Sequence, residues 1–137
     1  MNMIHEVDNL RALAGEIVAV QAFASNTTRG FPVEDTVAIN LRFANNALGA
    51  FLLSDTAASS KSWEQTTQEN PAFAAYPDQD AYVIMGTNGS LAVPTMRLQF
   101  YERTQDRSWF KPFKTQTIEI KRMKKLNRLE RLRSNRR

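Results

Sequence analysis

The chain has 137 residues, of which 42% are hydrophobic and 23% charged, a composition typical of one globular domain with a real core. It contains no cysteine and one histidine, which excludes disulfides, thiolate metal sites and a histidine-rich zinc centre, so we expect no bound metal. No apolar run approaches the ~20 residues of a membrane span, and no secretory signal pattern opens the chain. We therefore expect a cytoplasmic protein with no membrane partner.

The net charge of +4 is an average over two unlike segments. Residues 121–137 carry nine Lys or Arg and one Glu, whereas residues 1–120 carry nine Lys or Arg and thirteen Asp or Glu. The basic tail therefore accounts for the positive charge. A mildly acidic body is expected of a metabolic enzyme domain rather than of a nucleic-acid-binding protein.

The first predicted element is an amphipathic helix that opens at residue 2 and ends at Gly15, a natural C-cap. Successive residues turn by 100°, which gives the helix one apolar and one polar face. Met3, Val7, Leu10 and Ala14 form the apolar face, and Asn2, His5, Asp8 and Asn9 form the polar face.

Extended segments follow the helix. Residues 17–25 are apolar on both faces, which predicts a strand covered on both sides. Residues 37–43 alternate strictly between apolar and other side chains, which predicts a half-buried strand. The pair Asn45-Asn46 predicts a hairpin turn into a further strand over 48–53.

Residues 55–80 are predicted to form a long loop that holds Trp63, Phe73 and Tyr76, and loops of this length are often functional. Strands resume over 81–85, 91–93, 96–103 and 113–120. One helix followed by six or so strands predicts an α+β fold, with an open, mostly antiparallel β-sheet and the N-terminal helix packed on one face. Residues 1–120 form the predicted domain, and residues 121–137 form a tail that is helical or disordered.

Several short motifs stand in the order of a known domain. An H-x-x-D-x-x-R pattern begins at His5, and it is followed by GEIV at 15–18, RGFPVEDT at 29–36, LRFANNALG at 41–49 and GTNGSL at 86–91. In order and spacing, residues 2–120 resemble the second domain of the glucose–fructose oxidoreductase and inositol 2-dehydrogenase family (Gfo/Idh/MocA). That domain is an open, mostly antiparallel sheet whose free face commonly forms the subunit interface, which implies a homo-oligomer.

The resemblance implies a substrate or oligomerisation domain of an NAD(P)-dependent oxidoreductase that acts on a sugar or polyol. In this family the first helix follows a complete nucleotide-binding domain and brings a catalytic His into the cleft between the two domains. The matching residue here is His5. Many members have an Asp four residues before this His, where the present chain has Met1. Asn2 matches a subgroup with Asn in this turn, so the resemblance implies Asn2 as a second candidate catalytic residue.

Two parts of the family's machinery have no counterpart in the sequence. A dinucleotide site needs a Gly-rich turn between a strand and a helix, and none of the five glycines forms G-x-G-x-x-G. The family's catalytic Lys lies in a Glu-Lys-Pro motif, whereas Lys111-Pro112 here follows Phe110. We therefore expect no cofactor in this chain, although the family uses NAD or NADP, and no activity of the chain alone. The resemblance implies an enzyme fragment, without the nucleotide-binding domain before it and the last elements after it.

The helix residues have two interpretations. As an ancestral catalytic residue, His5 would hydrogen-bond or protonate the substrate oxygen, because an imidazole titrates near neutral pH. Otherwise it is a surface histidine. Asp8 either orients His5 or lines the cleft as a substrate-binding residue, or it is a solvated carboxylate that pairs with Arg11 at i, i+3.

The loop residues are equally open. Arg29, beside Gly30, either meets an anionic substrate or is solvated. Trp63 either stacks on a sugar-like ring, contacts another subunit, or anchors its loop to the body. The segment Glu34-Asp35-Thr36 either approaches the cleft or braces the sheet.

The tail at 121–137 allows a competing hypothesis, in which the chain is a non-enzymatic interaction module whose tail binds nucleic acid. Its charge would attract phosphates, and Leu126, Leu129 and Leu132 form a narrow helical stripe. It has no aromatic residue for base stacking, however, and it resembles no element of the family. We therefore favour a chance extension over an evolved binding arm, and expect nucleic acid not to be a partner.

Overall fold

A computed structural model of the chain describes residues 3–120. The chain divides into two compact units between Ser60 and Lys61, and each unit contains one β-sheet. Asn2 and the tail at 121–137 lie outside the described residues, and so do the predictions made for them. The helix and strand bounds given below are those of the structure.

The first unit contains helix α1 and a three-stranded sheet. The helix spans Ile4–Ala14, and the strands are β1 (Ile17–Ser25), β2 (Thr36–Phe43) and β3 (Leu48–Ser54), in the order β1-β2-β3. Both strand pairs are antiparallel, and the β1–β2 ladder has a register shift between Ile17 and Ala19. The central strand β2 therefore pairs on both sides, and β1 and β3 form the edges.

The core of this unit lies between α1 and one face of β2. Ile39, Leu41 and Phe43 are its buried members, and Ala38, Asn40 and Arg42 between them are exposed, as the alternation predicts. The apolar face of the helix packs against these residues, together with Ile17, Val37 and Phe51, through Met3, Leu10 and Ala14. Burial of apolar surface therefore fixes the helix on one face of the sheet.

Two turns at the end of α1 are set by local hydrogen bonds. Gly15 has φ 94°, a conformation that favours glycine, and its N–H donates to the carbonyl oxygen of Arg11 at 2.8 Å. Asn46 has φ 66° in the β2–β3 turn. The neighbouring Asn45 side chain donates to the carbonyl oxygen of Ala14 at 3.0 Å. The C-terminal end of α1 is thereby joined to the hairpin turn, and His5 lies at the other end of the helix.

The second unit contains a short helix and a four-stranded sheet. Helix α2 spans Trp63–Thr67, and the sheet order is β4-β5-β6-β7, with all pairs antiparallel. The strands are β4 (Tyr82–Met85), β5 (Gly89–Val93), β6 (Arg97–Phe100) and β7 (Lys114–Thr117). A Cβ atom at Gly89 would collide with the carbonyl oxygen of Gln99, so glycine is required at this position.

The α+β fold, the antiparallel strands and the packed N-terminal helix are confirmed. The strands are divided between two sheets, which alternation cannot reveal, because it specifies the faces of a strand and not its neighbours. The expectation that residues 17–25 are covered on both faces is wrong within this chain: β1 is an edge strand, and beyond half-buried Ile17 its residues are exposed. Residues 55–80 are also not wholly a loop, because α2 lies within them.

Of the helices in residues 3–120, neither has the length and apolar character needed to cross a bilayer.

Candidate functional site

The chain's one histidine lies on the first turn of α1. His5 is exposed, as is Asp8 one turn later on the same face. The guanidinium of Arg11 lies beside Asp8, with 3.9 Å between Asp8 Oδ1 and Arg11 Nη1. The structure therefore contains the i, i+3 pair between Asp8 and Arg11, and the side chain of His5 is exposed.

Arg11 is held more firmly by Glu16, just beyond the end of α1. Its Nε donates to Glu16 Oε2 at 3.0 Å, and its Nη2 donates to Oε1 at 2.7 Å. These hydrogen bonds raise the pKa of the Arg11 guanidinium and lower the pKa of the Glu16 carboxyl. Arg11 and Glu16 therefore form a bidentate ion pair at the C-terminal end of α1.

A second polar cluster lies where β1 ends and β2 begins. Asp35 has 2% of its surface exposed, and its Oδ2 accepts the backbone N–H groups of Thr28 and Arg29, both at 3.0 Å. Its own N–H donates to the carbonyl oxygen of Ser25 at 2.8 Å. Asp35 Oδ1 is buried without a hydrogen-bond partner among the described residues. Asp35 therefore joins the loop to the sheet, as expected if the segment 34–36 braces the sheet.

The pKa of the Asp35 carboxyl is lowered, chiefly by the backbone N–H of Arg29, while burial acts in the opposite direction. The hydrogen bonds to the anion outweigh its desolvation, so Asp35 is held as a carboxylate. A buried negative charge beside the loop also favours the cationic side chain of Arg29 nearby.

The guanidinium of Arg29 contacts Asp55. Its Nη1 lies 3.3 Å from Asp55 Oδ2, and its Nη2 donates to the Asp55 backbone oxygen at 3.2 Å. Arg29 was a candidate for binding an anionic substrate. In this conformation Asp55 occupies its guanidinium, so an incoming anion would have to compete with that carboxylate.

Hydroxyl groups extend this cluster along β2 and β3. The hydroxyls of Thr36 and Ser54 lie 2.9 Å apart, and Ser54 Oγ lies 3.2 Å from Thr56 Oγ1. Ser54 also donates to the backbone oxygen of Asp35. Arg29, Asp35, Thr36, Ser54, Asp55 and Thr56 therefore form one hydrogen-bonded group, called below the Asp35 cluster.

Trp63 belongs to the second unit, at the first position of α2. Its ring centroid lies 5.6 Å from that of buried Tyr82, with the planes tilted by 45°. Ser62 caps the helix, and its side chain accepts the N–H of Gln65. Trp63 is half-buried in this contact, an arrangement that matches the anchoring role among the three considered for it.

The second unit also has an open cavity of about 540 Å³, lined by Ile84, Leu91, Leu98 and Phe100 and by the glycine and polar residues at 86–90. None of the candidate site residues lines it. A cavity this open and this poor in charge offers little to orient a ligand, whereas the first unit has several charged and hydrogen-bonded side chains. Within residues 3–120 no group of three or more His, Cys, Asp or Glu is placed to hold a metal ion.

The comparison with protein families agrees with this architecture. The profile of the GFO/IDH/MocA C-terminal domain matches residues 2–92, which include the His5 helix, all three strands of the first unit and the Asp35 cluster. The chain belongs to this family.

Among solved structures, the chain is similar to a levoglucosan dehydrogenase in complex with NADH and levoglucosan. The two share 26% sequence identity, with a TM-score of 0.50 over 83% of this chain. The match covers 29% of the dehydrogenase, so this chain spans under a third of that enzyme's length. None of the curated proteins matches the chain.

The role of Asp35 was left undecided by the sequence. An Asp placed just before a strand and five residues after Gly30 is the only signal it gives, and many surface carboxylates share that pattern. The structure adds what the pattern lacks, namely burial and the two N–H donors.

Proposed function

We propose that this chain provides the substrate-side surface of an NAD(P)-dependent oxidoreductase that acts on a sugar or polyol. The observation that carries the proposal is the position of His5, which is exposed on the first turn of the helix within the family match. An imidazole there can give a proton to, or take one from, a substrate hydroxyl or carbonyl oxygen. The levoglucosan and NADH bound to the structural neighbour support this substrate and cofactor class.

We propose that the cofactor is held outside this chain. A dinucleotide site requires a Gly-rich turn that leads from a strand into a helix. Here the segment between β3 and α2 has no glycine, and α2 has only five residues. This segment therefore lacks the turn that a dinucleotide needs, which supports the proposal, and we expect the chain alone to be inactive. A cytoplasmic location is part of the same proposal.

Two titrations test the proposal. The first follows the ring signals of His5 by NMR, which are unambiguous because the chain has one histidine, while levoglucosan or inositol is added. We expect saturable shifts at His5 and the backbone of α1, weakened by Asp8→Asn and absent with ethylene glycol as the control. No shift with any sugar or polyol would reject the substrate-side role.

The second titration adds NADH or NADPH to the chain in a calorimeter. We expect no saturable heat, because no turn in the described residues is built to hold the pyrophosphate. Micromolar binding would show that the assignment of the cofactor to another domain is wrong.

We also propose that the chain self-associates through the sheet face opposite α1. Residues paired across the strands share a face, and the row Phe23–Ala38–Leu52 lies on the side away from the core. Phe23 is 72% exposed, Leu48 77% and Leu52 80%, so this face displays large apolar side chains.

Self-association is measured by sedimentation velocity over a range of concentrations. We expect Leu52→Lys to shift the chain toward monomer, because a charge at the centre of an apolar contact is costly to bury. Val83→Lys, an exposed apolar position on the other sheet, is the matched control. Equal sedimentation of wild type and Leu52→Lys would exclude this face as the interface.

A further inference from the structure

Two adjacent aromatic side chains stand wholly in solvent in the loop before β7. Trp109 is 101% exposed and Phe110 is 97% exposed, more than any other large hydrophobic residue described. Solvating two aromatic rings in full is unfavourable, since each carries a large apolar area. Both faces of both rings are therefore available to a flat partner.

The loop that carries Trp109 and Phe110 is held by contacts from Tyr101. The Tyr101 hydroxyl donates to the carbonyl oxygen of Ser108 at 2.5 Å, and the Tyr101 ring packs on Phe113 with centroids 4.7 Å apart. The N–H of Phe110 donates to Ser108 Oγ at 3.1 Å. The two rings are thus presented by a closed loop, and part of the ordering cost of binding is already met by the fold.

The loop is also positively charged. Asp106 is shared between Arg103, at 2.6 Å, and Lys111, at 2.8 Å, so one carboxylate faces two cations. The guanidinium of Arg107 donates to the backbone oxygens of Thr104 and Thr87, which leaves its charge uncompensated by those contacts. Lys114 pairs with Glu102. Residues 101–114 therefore carry four basic and two acidic side chains, and the loop has a small excess of positive charge.

We propose that this loop binds single-stranded nucleic acid, with bases stacked on Trp109 and Phe110 and phosphates near Arg107 and Lys111. Exposed aromatic rings and adjacent cations are the two components of sequence-tolerant single-strand sites. A duplex offers no free base faces, so single strands should be preferred. The expectation from the sequence that nucleic acid is not a partner rested on the basic tail at 121–137, which has no aromatic residue, whereas this loop has two exposed rings.

This inference is independent of the oxidoreductase proposal, since none of its residues belongs to the helix or the Asp35 cluster. It is also distinct from binding by the tail alone. Attraction between the tail and phosphates would depend on salt but not on Trp109 or Phe110.

The first experiment uses the full chain with Trp63→Phe, which leaves Trp109 as the only tryptophan. Oligothymidylate of about 20 nucleotides is added while tryptophan emission is recorded. Stacking should quench Trp109 in a saturable way. Saturable binding of the same oligonucleotide, detected by anisotropy, without any quenching would show that the bases do not reach the loop.

The second experiment measures binding of the labelled oligonucleotide to loop variants of the full chain. We expect Trp109→Ala with Phe110→Ala to weaken binding at least about tenfold, because stacking accounts for a large share of single-strand affinity. Phe31→Ala, an exposed aromatic of the first unit, should leave affinity unchanged. Circular dichroism confirms that each variant is folded.

Three results would overturn the proposal. Wild-type affinity in the double variant would assign the binding to the tail. Equal affinity of the chain for duplex and for single-stranded oligonucleotides would exclude base stacking on the loop. If the double variant lost binding to vesicles of phosphatidylserine and phosphatidylcholine while the wild type ignored the oligonucleotide, the loop would be a membrane contact instead.

Discussion

The buried carboxylate of Asp35 accepts the backbone N–H of Arg29, whose guanidinium pairs in turn with Asp55. One carboxylate thus holds the backbone of the loop, and the other holds its side chain. Substitutions in the Asp35 cluster can therefore measure how much this loop contributes to the stability of the domain.

We predict that Asp35→Ala lowers the midpoint of thermal unfolding by on the order of 5–10 °C, because two N–H groups in a part-buried loop lose their acceptor. Trypsin cleavage after Arg29 should also become faster. Glu34→Gln is the control, since Glu34 is an exposed neighbour. Equal melting and cleavage in the two variants would mean that Asp35 does not hold the loop.

The alternation of β2 gives a second prediction. Ile39→Ser removes a buried side chain from the core and should lower the free energy of unfolding by at least about 2 kcal/mol, as large-to-small core changes do. Asn40→Ser changes an exposed neighbour on the other face and should have a small effect. Urea unfolding of the two variants compares them directly, and equal midpoints would contradict the strand assignment.

Asp106 predicts a response to acid. Hydrogen bonds from Arg103, and then from Lys111, lower the pKa of Asp106 from 3.8 to about 2. A lowered carboxyl pKa means that the stabilisation is present above pH 3.8 and is lost as the pH falls toward 2. We expect Asp106→Asn to flatten the dependence of the melting temperature on pH in that window. Gln105→Asn changes an exposed, uncharged neighbour and should leave the slope unaltered.

Trp63 provides a fourth prediction, which distinguishes a ring that holds α2 in place from a ring that stacks on a sugar. If the ring anchors α2 through Tyr82, Trp63→Ala should lower the melting temperature and Trp63→Phe should preserve most of it, because Phe retains an aromatic contact. If instead the ring stacks on a sugar, both variants should melt like the wild type and differ in the sugar titration. Differential scanning calorimetry and the NMR titration together distinguish the two outcomes.

The sequence predicted those parts of the fold that depend on periodicity and on turn residues. The face of β2 follows from the alternation through Ile39 and Leu41, and the β2–β3 hairpin follows from Asn46 in a left-handed conformation. The division into two sheets was not predictable, because strand neighbours depend on contacts between distant residues. Exposure of β1 was missed for a related reason: a strand that is apolar on both faces has the same pattern whether or not anything covers it.

The candidate site shows the same limit. The family motif located His5, but a motif does not report what a side chain touches. The engagement of Arg29 by Asp55 joins residues 26 positions apart, and no local pattern indicates it. The exposure of Trp109 was equally hidden, since a sequence does not distinguish a tryptophan that packs on a neighbouring ring, as Trp63 does on Tyr82, from one in solvent.

The edges of the first sheet have a practical consequence. Neither β1 nor β3 contains a charged residue or a proline, and the register shift near Val18 is the one irregularity along the β1 ladder. Edge strands of this kind leave rows of backbone donors and acceptors open to pairing with the same strand of another molecule, and lysine or proline usually prevents such pairing. Concentrated preparations should therefore form β-rich aggregates, and Ala22→Lys on β1 is the substitution that should keep the chain in solution.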